Sequence, residues 1–381
     1  MNTKSMTLWI ACFAIILSFS SCDVINQLIA AQGIKNGTTA VVQGDNSLPG
    51  AQKGGYAITN TPYKATANRN GVRYKDHIFQ DVKKSHVTYA TDVKQYNGQT
   101  KDLMMDIYTP IGDDTKNRPA VIFVFGGGWF MKTLDGMQQY GEGFAMKGYV
   151  GVSVDYRIGF PNATGMATCK NNYSGFNEAW YRAAQDVKAA IRYLKANADQ
   201  LGIDENKIFI GGHSAGAFTT LNAVHLDDKD IPQALVEREG TLNSIGSYQN
   251  QSTTVAGEYI LAGGAINTLN YVDKNVPTFI MQGTCDEFIE NGAGKIYKCN
   301  TNPSIFAGQA LNDKLKSNGA CVEFKVVCGG DHGFGKLSME SQVAYVSSFI
   351  YDVLKGNCKT SKTGINAPNK KCEQGDPSVC N

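Results

Sequence analysis

Lys207-Ile208-Phe209-Ile210-Gly211-Gly212-His213-Ser214-Ala215-Gly216-Ala217-Phe218 is the stretch whose reading decides the fold. The apolar run from Lys207 to Gly211 predicts a strand, and the Ala-rich run after Ser214 predicts a helix. Between them Ser214 stands at the tip of a sharp turn, the context of a nucleophile elbow. Gly212 and Gly216 let strand and helix approach without a Cβ clash. A chain with 41 glycines can produce G-x-S-x-G by chance. The strand before and the helix after argue against chance.

The chain has 381 residues, of which 42% are hydrophobic, 18% charged and 10% aromatic. That composition suits one large α/β domain or two small ones. A formal charge of +2 points to neither nucleic acid nor an acidic partner. No low-complexity block or repeat of 20–50 residues is present.

Residues 1–21 are expected to be a signal peptide. Lys4 supplies the positive start, Met6 to Phe19 the apolar stretch, and Ser20-Ser21 the small residues before a cleavage point. Cys22 directly follows, as in a bacterial lipobox, so it is the candidate for lipidation and a membrane anchor. Phe19 departs from the aliphatic residue usual three positions earlier. An ordinary cleaved signal is the alternative, and the apolar run is short for a spanning helix. The chain is therefore expected to be exported, as a lipoprotein or as a secreted or periplasmic protein.

Loss of Cys12 and lipidation of Cys22 would leave eight of the ten cysteines. They are Cys169, Cys285, Cys299, Cys321, Cys328, Cys358, Cys372 and Cys380, an even set that predicts disulfides. No C-x-x-C occurs, no zinc spacing is met, and no metal is expected. Cys321 and Cys328 are read on one strand. Seven strand residues span about 23 Å, too far for a bond between them. A pair within the tail that holds Cys358, Cys372 and Cys380 is plausible.

Residues 22–80 read as a linker and peripheral segment, 81–356 as the catalytic domain, and 357–381 as a Cys-containing tail. Strands are expected at His86 to Asp92 and Leu103 to Tyr108, joined by a turn at Tyr96-Asn97-Gly98. Pro119 to Phe125 and Tyr149 to Asp155 are almost continuously apolar, as parallel strands buried on both faces are. Apolar residues at 183, 187, 190, 191, 194, 198 and 201 predict one buried helix face between Glu178 and Leu201. Further strands are expected at Tyr259 to Ala262, Thr278 to Met281 and Val322 to Val327. Helices are expected at Ser304 to Ser317, with Ser304 as N-cap, and at Ser338 to Leu354. Gly319 and Gly356 would stop them. The order implies a mostly parallel sheet of about eight strands flanked by helices. Sites in such sheets lie at the carboxyl ends of strands.

A serine nucleophile needs a base, and the base needs an orienting carboxylate. Of five histidines, His77 and His86 precede the main sheet. The ring of His213 should point away from its neighbour's hydroxyl. His225 ends the helix after the elbow, roughly 15 Å along its axis. His332 remains, just after the last strand in Gly329-Gly330-Asp331-His332-Gly333. Asp286, in Gly283-Thr284-Cys285-Asp286 after another strand, is the first choice of acid, although a lone Asp there could equally cap a turn. Asp331 adjoins His332 awkwardly, and Glu287 and Glu290 are runners-up. Phe125-Gly126-Gly127-Gly128-Trp129 exposes backbone N–H groups suited to an oxyanion, and Ala215 adds one.

These segments, together with Asp106-Ile107-Tyr108-Thr109-Pro110, Asp155-Tyr156-Arg157 and Gly202-Ile203-Asp204, resemble the carboxylesterase group of α/β-hydrolases. The likeness covers about residues 86 to 355. It is strongest to hormone-sensitive-lipase-like esterases and to feruloyl and acetyl-xylan esterase-like lipoproteins. It implies Ser214, Asp286 and His332 as the catalytic set, with oxyanion donors at Gly127, Gly128 and Ala215. It implies no cofactor. Phe125 stands where the family usually has a His that braces the glycine loop. Ile158 to Asn177 is longer than usual and could form a lid.

The expectation is a secreted serine esterase acting on a small-molecule or polysaccharide-linked ester. Two alternatives are a peptidase of the prolyl-oligopeptidase kind, against which the lack of propeller repeats argues, and a non-catalytic surface-binding protein.

Overall fold

The computed structural model describes residues 65–132, 135–161, 175–373, 376 and 378–380, with a two-residue ladder joining Val42–Gln43 to Gly55–Tyr56. The expected signal, Cys22, Cys169 and residues 162–174 of the expected lid lie outside these residues.

The chain order begins with β1 (Val82–Lys94), β2 (Thr100–Pro110), β3 (Arg118–Val124), α1 (Asp135–Ala145), β4 (Val150–Val154) and α2 (Phe176–Ala196). It continues with β5 (Ile203–His213), α3 (Ala215–His225), α4 (Gln233–Glu239), β6 (Gly257–Leu261), β7 (Gly264–Ile266) and β8 (Thr278–Gly283). Last come β9 (Ala293–Lys295), β10 (Ser304–Ala307), α5 (Gly308–Ser317), β11 (Val322–Cys328), α6 (Met339–Leu354) and β12 (Ser361–Asn366).

Among the described residues nine strands form the main sheet in the order β12-β11-β8-β6-β5-β3-β4-β2-β1. The pairs from β12 through to β4 are parallel, and β2 pairs antiparallel with both β4 and β1. β3, β4, β6 and β8 are buried along their whole length. That is why their sequences are mostly apolar, with a few buried polar residues such as Glu258 and Gln282. β7, β9 and β10 make a separate antiparallel sheet.

From β3 the chain crosses to β4 on one side, then returns past β3 to β5 on the other. Right-handed crossovers in opposite directions place α1 and α2 on opposite faces of the sheet. α3 packs with α2, and α6 with α1. The reversal opens a crevice at the carboxyl ends of β3 and β5, the usual place for a site in an open parallel sheet. The register Val124↔Gly212 and His213↔Leu261 aligns those ends residue by residue.

Several expectations change. α1 was not anticipated, because Gly136, Gly141 and Gly143 mask its helical pattern. Gly141 is needed there: a Cβ would strike the Tyr108 ring, and its carbonyl already fills the space a Cβ on Gly151 would take. Ser304 does not cap a helix; it opens β10, and α5 begins at Gly308. Ser338 does cap α6, accepting from Ser341 N–H at 3.1 Å. His86 lies within β1 of the main sheet, its Nδ1 at 2.5 Å from Asp106 Oδ1. α2 is buried almost all round, not on one face. Its polar side is covered by the chain around residues 239–245, where Gln185 donates to the Glu239 and Thr241 carbonyls and Arg192 to the Ile245 carbonyl.

The boundaries at 80 and 356 also shift. Residues 65–80 are tied to the domain by the Arg73–Asp113 ion pair and by Tyr74 and Ile78 N–H bonds to the Lys147 and Met146 carbonyls. The tail adds β12, parallel to β11, at the sheet edge. Its cysteines do not pair with one another. Each is bonded to the body, as Cys321–Cys358, Cys285–Cys372 and Cys328–Cys380. Among the described residues no helix is long and apolar enough to cross a membrane.

The Cys328–Cys380 bond closes a separation of 52 residues. Loop-closure entropy for that length amounts to about 4 kcal/mol. Replacing both cysteines by Ala should lower the unfolding free energy by up to about that amount in urea melts. The far-ultraviolet spectrum of the native protein should not change.

Candidate active site

Ser214 sits between β5 and α3 with φ 57° and ψ −124°. A positive φ at a non-glycine residue costs on the order of 1–3 kcal/mol. The turn is held from both sides. Ser214 N–H donates to the Leu261 carbonyl at 2.9 Å, and its own carbonyl accepts from Ala217 and Phe218 N–H at 2.9 and 3.1 Å. Gly216 packs directly on the end of β3, where a Cβ would collide with the Val124 and Phe125 carbonyls. Gly212 has the same constraint against Val124. The spacing of the two glycines is therefore a packing requirement.

The glycine loop follows β3 and lies against the elbow. A Cβ built on Gly126 would stand 3.2 Å from Ser214 Cβ. Gly127 and Gly128 have φ of 114° and 61°, which glycine adopts without strain. Among the described residues the N–H groups of Gly127, Gly128 and Ala215 have no acceptor. Ala215 is also the first residue of α3, where the helix carries partial positive charge.

Phe125 braces this loop by means other than a hydrogen-bonding side chain. Its ring is fully buried and stacks on Tyr156 at 4.1 Å. Tyr156 Oη–H donates to the Phe125 carbonyl at 2.9 Å. On the loop's far side Trp129 Nε1–H donates to Thr219 Oγ1 at 2.9 Å, tying the loop to α3. Tyr156 is in turn fixed by its neighbour. Arg157 binds the buried Asp186 of α2 through Nε at 2.9 Å and through its backbone N–H at 2.7 Å.

Asp286 and His332 lie on the loops after β8 and β11. These loops are laced together: Cys285 N–H donates to the Gly330 carbonyl at 2.8 Å and Gly329 N–H to Thr284 Oγ1 at 2.9 Å. His332 Nδ1 lies 2.8 Å from Asp286 Oδ2. A carboxylate only accepts, so the proton is on Nδ1 and Nε2 carries the lone pair. Asp286 is 3% exposed. Its Oδ1 accepts from Phe288 and Ile289 N–H, both at 2.9 Å, and Oδ2 also accepts from Gln282 Nε2 at 2.9 Å. One oxygen thus caps a turn while the other faces the imidazole.

The other acids do different things. Asp331 Oδ1 accepts from Gly333 and Gly335 N–H and shapes the loop. Glu287 accepts from His332 N–H at 3.3 Å. Glu290 lies against Gly294. His225 is fully buried with Glu258, at 3.0 Å, far down α3. Among the described residues no His, Cys, Asp and Glu cluster could hold a metal.

Three contributors were not visible in the sequence. The tail straps the His332 loop, with Lys371 N–H on the Gly329 carbonyl at 2.8 Å and Asn369 N–H on the Gly335 carbonyl at 2.9 Å. The Cys285–Cys372 bond adjoins Asp286. The third is His213, whose Nε2 lies 2.9 Å from the His332 carbonyl. The even cysteine count was the only signal for the strap.

Burial, with the neighbouring His332 adding to it, depresses the His213 pKa to about 4. His77, also lowered to about 4 chiefly by burial, acts in the same direction. Both are held neutral when folded and bind a proton more readily when unfolded. Their contribution is complete above the unfolded value of 6.5 and is lost as pH falls toward about 4. The unfolding free energy should therefore drop across that window, with His213 contributing at most about 1.4 kcal/mol per pH unit. His213→Gln should flatten the slope, as measured by urea melts from pH 7 to pH 4.

Comparison with known proteins adds a family context. The family model described as BD-FAE matches residues 105–257. Esterase LipC of Mycobacterium tuberculosis is 31% identical over 163 residues, which is 42% of this chain and 34% of that protein. Carboxylesterase NlhH of the same organism is 32% identical over 124 residues, 32% of this chain and 33% of its own length. The alignments thus span about a third of either relative. Among solved structures, the native thermophilic esterase Est2 of Thermogutta terrifontis matches with a TM-score of 0.50 at 20% identity. That match covers 75% of this chain and 96% of Est2. The elbow at a strand-order reversal, the Asp286–His332 pair on the following loops and these likenesses agree: the chain has the α/β-hydrolase fold and is similar, over its central segment, to carboxylesterases.

Proposed function

We propose that the protein is a serine hydrolase that cleaves carboxylic esters through an acyl-enzyme. The observation that carries this is the hydrogen bond from His332 Nδ1–H to Asp286 Oδ2, on loops beside an elbow that holds Ser214 at positive φ. Nε2 of His332 takes the Ser214 proton as Oγ attacks the ester carbonyl. Asp286 fixes the tautomer and stabilises the imidazolium. The N–H groups of Gly127, Gly128 and Ala215 receive the oxyanion. His332 then protonates the departing alcohol, and in the second half it activates the water that releases the acid.

The names of the relatives support an ester over an amide. Export as a lipoprotein anchored through Cys22 is part of the same reading. The disulfides of the domain support an oxidising compartment. An acyl group on a small molecule or an accessible polysaccharide is the substrate class such a location would offer.

Wild type should hydrolyse p-nitrophenyl acetate or butyrate, and Ser214→Ala should lower kcat/KM by roughly 10³-fold or more. Asp286→Asn should cost about 10³- to 10⁴-fold, because Asn leaves the wrong tautomer. A fluorophosphonate probe should label Ser214 in the folded protein. Unlabelled Ser214 would favour the non-catalytic reading, whereas Ser214→Ala at full activity would overturn Ser214 as the nucleophile. Preferential turnover of a dipeptide anilide would favour a peptidase.

A further inference from the structure

We propose that His213 is a positioning residue: its side chain holds the loop that carries His332 at a fixed place relative to Ser214. The proposal rests on the hydrolase reading above.

His213 is the last residue of β5, and its backbone is fixed by pairing with β6. Its Nε2 faces the His332 carbonyl at 2.9 Å. A carbonyl only accepts, so the ring must be the donor, with its proton on Nε2. The low pKa of about 4 keeps the ring neutral near pH 7. The lone pair is then on Nδ1, and the donor is always present.

The same ring touches each neighbour that matters. It meets the Phe334 ring edge-on at 5.7 Å and the His332 ring at 4.8 Å. A Cβ on Gly126 would be 3.5 Å from its Nδ1, so the ring also adjoins the glycine loop. One side chain thus spans the base loop and the oxyanion loop and is bonded through the backbone to the nucleophile.

The His332 backbone has little other support. Among the described residues it makes two hydrogen bonds, and the second, to the Glu287 carboxylate, is longer at 3.3 Å. The tail holds the loop at Gly329 and Gly335, on either side of His332. Behind the His213 ring lies a cavity of about 280 Å³, lined by Phe123, Tyr140, Phe334 and Met339 among others. Its walls are mainly apolar. If the donor is removed, the loop has room to relax, and the polar side chains there are engaged elsewhere: Tyr140 Oη–H donates to Gln342 Oε1 and Gln342 Nε2 to the Leu337 carbonyl.

Positioning errors of about 1 Å cost on the order of 10²-fold in rate while binding changes little. The test compares His213→Leu, which keeps bulk and removes the donor, with His213→Gln, whose amide can reach the same carbonyl. Wild type and Ser214→Ala are measured alongside on p-nitrophenyl butyrate, and folding is checked by thermal melts. His213→Leu should lower kcat by about 10- to 100-fold with KM within about twofold, and His213→Gln should return kcat to within about threefold of wild type. If the Leu variant does not fold, His213→Asn replaces it. Its shorter amide should lose kcat where Gln does not.

The proposal is overturned if the donor-free variant keeps wild-type kcat, or if Gln is impaired as deeply as Leu or Asn. Equal turnover by wild type and Ser214→Ala is a different failure. It would remove the hydrolase reading, and this proposal with it.

Discussion

The close approach of Gly216 to the Val124 and Phe125 carbonyls is the constraint on which the rest depends. It forces α3 to start at the end of β3, and the chain can turn from β5 into α3 only by passing through a positive φ at Ser214. The strain is tolerated because the β6 end and the first turn of α3 bond the Ser214 backbone. A residue so over-determined has little freedom to move. The loop that leaves β3 must then run past the elbow, which brings Gly126 against Ser214. Strand order, helix start and glycine loop are thus consequences of one contact.

Asp286 and His332 depend on a different device. Their loops leave β8 and β11, near the far edge of the sheet, and only β12 lies beyond. The tail compensates. It pairs as β12, bonds back to both sides of the His332 loop and is stapled at Cys285 and Cys328. Disulfides between body and tail limit the unfolded chain more than local pairs would, since the closed loops are longer. The tail is therefore part of the support of the site, and a boundary at 356 would cut through that support.

What was legible in the sequence was local. The buried strands, the elbow, the glycine loop and the α6 cap each follow from periodicity or turn chemistry within a dozen residues. Asp286 could be ranked above Asp331 because a residue adjoining His332 cannot readily face its ring. The rest depends on partners distant in sequence. α1 is disguised by its glycines, of which Gly141 is there for β4 and Tyr108. The polar side of α2 looks like a solvent face until the carbonyls near residues 239–245 meet it. Nothing near His213 announces that the carbonyl it serves is that of His332.

Phe125 shows what the glycine loop requires. A histidine there would brace the loop through its ring nitrogens. Here the ring stacks on Tyr156 instead, a contact worth about 0.5–1.5 kcal/mol beyond burial. The Phe125 carbonyl is held by the Tyr156 hydroxyl, which adds roughly 1 kcal/mol. Tyr156 can do this because Arg157, the next residue, is anchored to Asp186. The brace thus runs from α2 through the Asp155-Tyr156-Arg157 segment to the backbone of the loop. What the loop offers is main-chain N–H groups, so a fixed backbone path matters, and a buried, stacked Phe125 serves where its carbonyl is held by another residue.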